Sequence, residues 1–433
     1  MTALPPGWVE STLSEIADWG SGGTPRATEP SYYGGCTPWA VIGDLADGLV
    51  SRTESSLTER GLAESSAKLV EPGTVLVAMY GSIGKLGIAG MRMATNQAIA
   101  FARPRAGLDP KYLFLFLRRE RSALSAAGKG ATQRNISQTI LRSWPIPIAP
   151  VEEQKRIVAA IEEQFSRLDD AEKLLERALR GIGVFRAYML STAFVGDWQW
   201  TTLGEIADIA GGVTKDAKRQ SDPSFVAVPY LRVANVQRGF LDLAEVTTIR
   251  VAPEKARALE LKPGDVLFNE GGDRDKLGRG WVWSGEIEGC IHQNHVFRAR
   301  LREGFDPKFV SWHGNIFGRR WFEEHGRQTT NLASLNLKTL KSFPVPVPPL
   351  DEQLRIVSEL EQRLSLIDAL AVEVARAGSR SAVLRRSILG RAFTGRLVPQ
   401  DPADEPASVL LERIAAARAS EPKVSRRRRR VPA

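Results

Sequence analysis

The sequence has very little cysteine, with two residues among 433, and no apolar run long enough to cross a bilayer. Cys36 and Cys290 are too few and too far apart to form a disulfide framework. No N-terminal segment combines the basic, apolar and small-residue regions of a secretory leader. We therefore expect a cytoplasmic protein with no membrane contact.

A nucleotide-binding loop is also missing, although one stretch comes close. The segment VLVAMYGSIGKLGIAG, Val75 to Gly90, is an apolar run that breaks into a glycine-rich loop with one lysine. A phosphate-binding P-loop needs a glycine, four residues, Gly-Lys, and then a Ser or Thr that holds magnesium. Met79 stands where the first glycine should be, and Leu86 follows Gly84-Lys85. The segment is therefore expected to be a turn between two strands.

Signatures of catalysis are equally weak. An amino-methyltransferase would carry an Asn/Asp-Pro-Pro-aromatic motif, and neither Pro-Pro pair fits it. A metal-dependent nuclease remains the enzymatic alternative, because Glu260-Leu261-Lys262 follows Asp242 and resembles an acidic residue with Glu-x-Lys. That spacing is common by chance. Since no nucleophile-elbow pattern precedes any of the four histidines, we predict a non-catalytic chain.

A metal site is not expected either. Cys290, His292 and His295 are potential soft ligands, but a structural zinc normally needs four and no second cluster is visible. The corresponding segment of the first half, Met93 to Gln97, has no Cys or His. We predict that the chain itself binds no metal and no cofactor.

The composition is that of an ordinary globular protein, 43% apolar and 25% charged, and the length requires at least two domains. The net charge is +9, but Lys423 and Arg426 to Arg430 supply six of those charges. Net charge alone therefore does not establish DNA binding. The SRRRRR segment is typical of a disordered basic arm that touches phosphates without reading bases.

The most informative feature is an internal repeat, in which short segments recur about 190 to 199 residues apart. TLSEIADWGSGG returns as TTLGEIADIAGG, LDPKYLFLF as FDPKFVSWH, and WPIPIAPVEEQKRIV as FPVPVPPLDEQLRIV. The offset only grows, which indicates a tandem duplication with insertions in the second copy. We expect domains at 1–150 and 198–349, helical regions at 151–197 and 350–397, and a partly disordered basic tail at 398–433.

Each helical region carries an apolar heptad. In the first, Ile161, Leu168, Leu175, Ile182 and Met189 recur every seven residues, and the second shows the same period. A heptad held this long among Glu, Arg and Lys predicts a coiled coil, with an amphipathic helix packed on its own domain as the alternative. Three glycines near the middle suggest a kink or break. Antiparallel pairing of two helices about 50 Å long would hold two similar domains apart.

The repeated segments resemble the DNA-specificity subunit of type I restriction-modification systems, over residues 8 to 397. The likeness rests on the TLSEIADWGSGG and TTLGEIADIAGG starts, the Pro-rich segments ending in EEQKRIV and DEQLRIV, and AFVG and AFTG. It implies an α+β fold with two tandem mixed α/β target-recognition domains. Two long helices would join them as an antiparallel coiled coil with pseudo-twofold symmetry. The specificity subunit of a related, fused methyltransferase-nuclease system is the alternative within the family.

The resemblance also implies partners. Each target-recognition domain would read one half of a split, asymmetric site in double-stranded DNA. Two methyltransferase subunits using S-adenosylmethionine would join the chain, and two restriction motor-nuclease subunits using ATP and Mg²⁺ would complete the complex. Unequal domains on a pseudo-symmetric frame independently predict two different half-sites separated by unread base pairs.

Polar loop clusters are the predicted DNA contacts, because Arg, Lys, Asn and Gln read base edges and Ser, Thr and backbone N–H groups hold phosphates. The prediction attaches to each cluster, since any single residue could simply be solvated. In the first domain the residues are Ser21, Gly22, Gly23, Thr24, Tyr80, Gly81, Ser82, Lys85, Asn96, Gln97, Lys129, Thr132, Gln133, Arg134 and Asn135. In the second they are Thr214, Lys215, Arg232, Asn235, Gly271, Gly272, Asp273, Arg274, Asp275, Lys276, Arg279, His292, Gln293, Asn294, His295, Arg327, Gln328 and Asn331.

The P-loop-like stretch has its own counterpart, VLFNEGGDRDKLGRGW from Val266 to Trp281. Matching KLG to KLG pairs Lys85 with Lys276 and Gly87 with Gly278. The recurring lysine is then expected to hold a DNA phosphate beside a variable, base-reading tip.

Overall fold

A computed structural model describes residues 4–128, 135–216, 219–221, 223–272, 276–328 and 333–420. The chain divides into two compact units. The first unit comprises Met1–Leu174 and Ala377–Ala433, and the second comprises Leu175–Arg376. Each long helix therefore contributes one part to each unit.

Strands and helices are numbered in chain order. The first copy contains β1 Val9–Thr12, α1 Leu13–Ile16, β2 Ala17–Ser21, β3 Tyr33–Ala40, β4 Gly48–Val50, β5 Ser55–Leu57, α2 Glu59–Ala63, β6 Lys68–Val70, β7 Val75–Ala78, β8 Leu86–Ala89, β9 Met93–Thr95, β10 Ile99–Pro104, α3 Pro110–Ala127, α4 Gln138–Arg142, β11 Pro145–Ile148 and α5 Val151–Thr192. Short 3₁₀ turns occur at Pro30–Tyr32 and Ile42–Asp44.

The second copy contains β12 Trp200–Thr202, α6 Leu203–Ile206, β13 Ala207–Gly211, β14 Val226–Leu231, β15 Val236–Gln237, β16 Phe240–Leu241, β17 Thr247–Val251, α7 Pro253–Leu259, β18 Val266–Asn269, β19 Gly271–Gly272, β20 Gly280–Val282, β21 Ile291–His292, β22 Val296–Leu301, α8 Pro307–Ile316, α9 Gly318–His325, β23 Arg327–Gln328, β24 Ala333–Ser334, α10 Leu337–Lys341, β25 Pro344–Pro346 and α11 Leu350–Ala392. A 3₁₀ turn lies at Arg219–Ser221, and α12 Ala407–Ser420 follows α11.

The sheets of the two copies share a common strand order, although each sheet of the first copy has one strand more than its counterpart in the second. The first unit has a five-stranded sheet in the order β2-β10-β7-β8-β4, and the second has β13-β22-β18-β20. A parallel pair, β3 with β9 and β14 with β21, belongs to a second sheet in each unit. β1 pairs with β11 as β12 pairs with β25. The mixed α/β architecture in duplicate agrees with the sequence prediction.

Equivalent residues begin equivalent elements. Thr12 and Thr202 form capping boxes with Glu15 and Glu205, which satisfy the exposed N–H groups where α1 and α6 begin. Asp109 and Asp306 cap the N-termini of α3 and α8, each followed by a proline at the first helical position. β7 is buried at every position, which explains its uninterrupted apolar sequence VLVA.

The cores of the two units are also built alike. Phe393, at the end of α11, packs edge-on against Tyr112 and Phe116 of α3 in the first unit. Phe194 packs against Phe309 and His313 of α8 in the second. The repeated AFVG and AFTG segments therefore anchor the ends of the long helices to α8 and α3.

A buried glutamine explains the repeated EEQ and DEQ motifs. Gln353 is fully buried, and its amide nitrogen donates to the carbonyl oxygens of Pro348 at 2.9 Å and Gly304 at 3.0 Å. Its amide oxygen accepts from the N–H of Asp306 at 2.9 Å. Gln154 makes the matching bonds to Ala149 and Asp109 in the first unit. One side chain thus ties the start of each long helix to the loop before the domain's main helix.

Gln353→Leu should lower the stability of the second unit by about 3 kcal/mol, because leucine fills similar space but leaves three backbone groups without their bonds. The matched control is Gln362→Leu, an exposed glutamine on the same helix. Calorimetric unfolding of both variants measures the difference. Equal melting curves for the two would show that the clamp does not hold the unit together.

Within each unit, ion pairs join the parts of α5 and α11. In the first unit Arg385 lies 2.6 Å from Asp169 and 3.1 Å from Glu172. In the second, Arg186 forms the equivalent ion pair with Asp368. Both helices are continuous through Gly181, Gly183 and Gly378, so these glycines do not break them.

Part of the segment assigned to the tail is a helix. Ala407, Leu410 and Ile414 of α12 are buried against the first unit. The N–H of Ala407 donates to the carbonyl of Gly7 at 2.8 Å, and Arg156 pairs with Asp404 just before the helix. Lys423 and Arg426 to Arg430 lie outside the described residues. Across the ranges described above, no helix is long and apolar enough to cross a membrane.

Candidate nucleic-acid interface

Three predicted clusters of the first unit, together with Asn135 of the fourth, meet at one edge of the five-stranded sheet. Gly22, after β2, donates to the carbonyl of Ile99 at 3.3 Å, and Gly23 donates to Thr95 at 2.9 Å. Met79, after β7, donates to Ala98 at 2.8 Å, and Tyr80 forms an isolated bridge with Asn135. The loops at 21–24, 80–85, 96–97 and the residues before β11 are therefore neighbours.

The second unit assembles its clusters in the same way. Val213, after β13, donates to His292 at 2.9 Å, and Asn294 donates back to Val213 at 3.0 Å. Glu270, after β18, donates to His295 at 2.9 Å. β19 pairs with β24, which also pairs with β23. These loops meet at the matching edge of the second sheet, and each such group of loops is called the loop edge of its unit below.

Glycines allow the closest backbone approaches at both loop edges. A Cβ added at Gly22 would lie 1.9 Å from the carbonyl oxygen of Thr95. A Cβ at the equivalent Gly212 would lie 2.0 Å from the carbonyl oxygen of His292. Real Cβ atoms do not come that close to a carbonyl oxygen, so close backbone packing explains the glycine at this equivalent position in both units. The glycines shape the edge, and they present backbone rather than side chains.

Polar side chains are exposed at the first loop edge. Thr24 is exposed, and its hydroxyl donates to the amide oxygen of Gln97, which is also exposed. Tyr80, Gly81 and Ser82 are exposed at the neighbouring turn. These residues offer hydroxyl, amide and aromatic groups on one surface.

Other predicted residues of the first unit turn inward or brace a turn. The side-chain oxygen of Asn96 accepts from the N–H of Ala98 at 3.1 Å, which holds the turn between β9 and β10. The side-chain oxygen of Asn135 is buried, and among the described residues it has no hydrogen-bond partner. Lys85 donates to the carbonyl oxygens of Ile42 at 3.2 Å and Gly43 at 3.4 Å. The lysine therefore ties its own loop to the Ile42–Asp44 turn.

The strand register corrects the pairing of Lys85 with Lys276 and of Gly87 with Gly278. Ala78 bonds to the carbonyl of Lys85, and its counterpart Asn269 bonds to the carbonyl of Arg279. Gly84 and Gly278 both have positive φ and both donate to the residue at the end of the preceding strand. Lys85 therefore corresponds to Arg279, because the second loop is three residues longer and the KLG match is shifted by that insertion.

The corrected pair has a common role. The guanidinium of Arg279 donates to the amide oxygen of Gln237 at 3.1 Å, as Lys85 donates to the Ile42–Asp44 turn. Asp47 donates its N–H to Leu86 and Gly239 donates its N–H to Gly280, and both turn residues have positive φ. A cation at this position holds the neighbouring loop in both units.

Arg121 of α3 is a residue that the sequence analysis missed. Its guanidinium donates to the carbonyl of Gly84 at 2.8 Å and forms an ion pair with Asp47. Burial acts to raise the pKa of Asp47, but the hydrogen bond and charge of Arg121 outweigh it and lower the pKa. Arg121 thereby joins two loops of the first unit. No sequence signal marks it, since it sits in a run of helical arginines.

In the second unit two predicted contacts are interior residues. Asn235 is 3% exposed; its amide nitrogen donates to the carbonyls of Asp242 and Glu245, and its oxygen accepts from the N–H of Arg232. His292 is fully buried, which lowers its pKa to about 4, and Nδ1 lies 2.6 Å from the carbonyl of Val296. Both side chains stabilise loops from within.

Exposed polar groups remain at the second loop edge. His295 is exposed, with Nδ1 2.6 Å from a carboxylate oxygen of Glu270, and the amide of Asn294 lies 3.4 Å from Nε2. Thr214 and Lys215 are exposed beside them, and Gln293 and Arg232 are half-buried. Gly271 and Gly272 form β19, Arg327 and Gln328 form β23, and Lys276 is half-buried.

Several predicted contacts cannot be placed, because they lie outside the described residues. These are Lys129, Thr132, Gln133, Arg134, Asp273, Arg274, Asp275 and Asn331. The described residues that flank them, among them Asn135 and Gly272, belong to the loop edges.

Cys290, His292 and His295, the residues considered as possible metal ligands, each have a different environment. Cys290 is buried, which raises the pKa of its thiol to about 12, while His292 and His295 bond to Val296 and Glu270. Within the described part of the chain, no group of three or more His, Cys, Asp or Glu residues is placed to hold a metal ion. The backbone N–H of Lys262 bonds to Asp265, and the carbonyl of Glu260 accepts from Arg300, so this segment forms a turn below β18.

Comparisons with known proteins agree with the architecture. The family model for the type I restriction modification DNA specificity domain matches residues 5–178 and 319–372. The type I restriction enzyme StySPI specificity subunit of Salmonella potsdam is 25% identical over 96% of both chains. The EcoKI specificity subunit of Escherichia coli K12 is 24% identical over 96% of this chain and 97% of its own.

Solved structures share the fold. A chain from a structure describing complex assembly and conformational transition of the type I R-M system superposes with a TM-score of 0.70, at 22% identity, over 92% of this chain and all of the other. The HsdS subunit from Thermoanaerobacter tengcongensis gives a TM-score of 0.63 at 19% identity, over 91% of this chain and 98% of its own.

Proposed function

The chain belongs to the type I restriction-modification DNA specificity family, and we propose that its two loop edges read the two halves of one split, asymmetric DNA site. As a specificity subunit it is the non-catalytic DNA-recognition component of its restriction-modification complex. The observation that carries the proposal is the equivalent placement of two loop edges with different residues. Equivalent frames support the same mode of docking, while different side chains select different bases.

The exposed residues are the proposed contacts. In the first unit they are Thr24, Tyr80, Ser82 and Gln97, and in the second they are Thr214, Lys215 and His295, with the half-buried Asn294 beside His295. Amide and imidazole groups suit base edges, while the lysine and hydroxyl groups suit phosphates. The predicted residues outside the described ranges remain part of the proposal, because described residues next to them in the sequence, such as Asn135 and Gly272, belong to the loop edges. Asn235 and His292 act on DNA only through the loops that they brace.

We further propose that the two long helices set the number of unread base pairs between the half-sites. The ion pairs Asp169–Arg385 and Arg186–Asp368 occupy equivalent repeat positions and support one antiparallel pairing. A pairing of fixed length would fix the spacing in the DNA.

The proposed complex contains two methyltransferase subunits and two motor-nuclease subunits, located in the cytoplasm with the chromosome. S-adenosylmethionine, ATP and Mg²⁺ would act on those partners. An apolar face of the second unit, formed by Phe185, Tyr188, Leu366 and Leu370, is more than half exposed at every member. A face of that composition is typical of a protein-protein interface and supports docking of a methyltransferase subunit there.

Methylome sequencing of cells that carry this chain with its methyltransferase partner tests the proposal. The expected product is one methylated motif with two different specified segments and a fixed unread spacer. Exchange of residues 1–150 for another recognition domain should change one segment and leave the other intact. A continuous motif, or a change in both segments after the exchange, would refute the proposal.

A further inference from the structure

The surface that α12 covers on the first unit has an equivalent on the second unit. In the first unit α12 lies against α1, the loop at Gly107 and the start of α5. The nearest atom to a Cβ added at Gly107 would be Cδ1 of Leu410, at 2.5 Å, so the leucine rests on the glycine backbone. Val151, at the start of α5, packs against the same cluster. These residues define the first seat.

The second unit has the same arrangement of loop, short helix and long helix. Gly304 corresponds to Gly107, and φ is +91° at Gly304 and +88° at Gly107. The N–H of Arg302 bonds to Ile206 of α6, as that of Arg105 bonds to Ile16 of α1. The side-chain oxygen of Gln353, in the first turn of α11, accepts from the N–H of Asp306, as that of Gln154 in α5 accepts from Asp109. The loop, the short helix and the long helix are therefore joined alike in both units.

In the second unit the surface formed by these elements is exposed. No described atom lies within 4 Å of a Cβ built at Gly304. Leu350, the counterpart of Val151, is 46% exposed, and Leu354, one turn further along α11, is 51% exposed. Glu205 of α6, the counterpart of Glu15, is also exposed. Gly304, Leu350, Leu354 and Glu205 define the second seat.

The repeat does not supply a helix for this seat. Only residues 193–199 separate α5 from β12, which is too short for a counterpart of α12. α12 itself is held on the first unit by its bond to Gly7 and by the Arg156–Asp404 pair. A second copy of the chain holds its own α12 by the same covalent connection, which gives the intramolecular seat a large concentration advantage.

We propose that the second seat binds an amphipathic helix of a partner subunit, in the manner in which the first seat binds α12. The occupant would place a leucine on Gly304 and a branched apolar residue four positions later, as α12 places Leu410 and Ile414. A basic residue after another four positions would face Glu205, as Arg418 lies with Glu10 and Glu15 around one cavity of the first unit. The inference rests on the proposed function only in taking the chain to work within a multi-subunit complex.

A labelled peptide of residues 404–420 is the probe, because it has the shape and charge that the seat requires. Fluorescence anisotropy with the intact chain should show saturable binding, and Leu350→Gln/Leu354→Gln should weaken it at least tenfold. Burial of each leucine contributes about 1.5–3 kcal/mol, and 1.4 kcal/mol is a tenfold change. The matched control is Leu384→Gln, a leucine of similar exposure, 48%, further along the same helix.

The complex supplies the second measurement. In the complex reconstituted with its methyltransferase and restriction subunits, the double variant should weaken retention of one partner subunit, and excess peptide should do the same to the unsubstituted complex. Sequence-specific DNA binding by the chain should be unchanged, so this result separates the seat from the recognition function. No peptide binding, or equal binding by the double variant, would overturn the proposal. Dimers of this chain that the double variant abolishes would overturn it too, since the occupant would then be α12 of a second copy.

Discussion

Gly212→Ala should abolish recognition of the second half-site and leave the first half-site readable. The new Cβ would lie 2.0 Å from the carbonyl oxygen of His292, which belongs to the backbone and cannot turn aside. The β13 end and the His292–His295 loop must therefore separate by about 1 Å, since non-bonded carbon and oxygen atoms need more than 3 Å. Thr214, Lys215 and His295 would all lose their mutual positions.

The expected loss in affinity for the complete site is about a hundredfold or more. Each specified base pair that is no longer read costs about 1–3 kcal/mol, and two lost pairs already reach that range. Equilibrium binding to the cognate duplex and to duplexes altered in either half-site measures the effect. Gly212→Ala should make the complex insensitive to changes in the second half while it still discriminates in the first.

Gly211→Ala is the matched control, because it inserts the same methyl group one residue earlier. A Cβ at Gly211 meets nothing within 4 Å, and its φ is not positive. Gly22→Ala provides the mirrored experiment, since its Cβ would clash with the carbonyl of Thr95 in the first unit. The interpretation fails if Gly211→Ala and Gly212→Ala behave alike, or if Gly22→Ala affects the second half-site.

Sequence reasoning reached the architecture because the duplication is written in short, well-separated segments. The strands and helices that follow Leu13 and Leu203, or precede Gln154 and Gln353, are equivalent in both units. Buried apolar strands and capped helix starts depend on local composition, which a single sequence carries. The loop clusters also proved to be neighbours, since they follow strand ends that meet at one edge of a sheet.

The sequence could not separate the inward-facing polar residues from the outward-facing ones. Asn235 and Gln97 are similar in type, yet Asn235 braces a buried turn and Gln97 is exposed beside Thr24. The direction of a polar side chain depends on turn geometry and on distant partners, such as Asp242 and Glu245 for Asn235. Lys276 matched Lys85 by letters alone, whereas hydrogen-bond register assigns that position to Arg279.

Removal of one heptad from each long helix should shorten the unread spacer of the DNA site without changing the specified bases. If the proposed pairing keeps the register of the ion pairs Asp169–Arg385 and Arg186–Asp368, its central heptads are residues 174–180 and 374–380. Deletion of both segments removes two turns from each helix, about 10 Å at 1.5 Å per residue, and preserves the heptad pattern on either side. About 10 Å corresponds to three base pairs, but a shorter spacer also rotates one half-site about the duplex axis. Because the DNA must twist to present both half-sites again, we expect the spacer to shorten by one to three base pairs.

Methylome sequencing reads the new spacer directly, and the control replaces the same fourteen residues with different heptads of equal length. An unchanged spacer in a complex that still methylates, or a shortened spacer in the control, would show that the helices do not measure the distance.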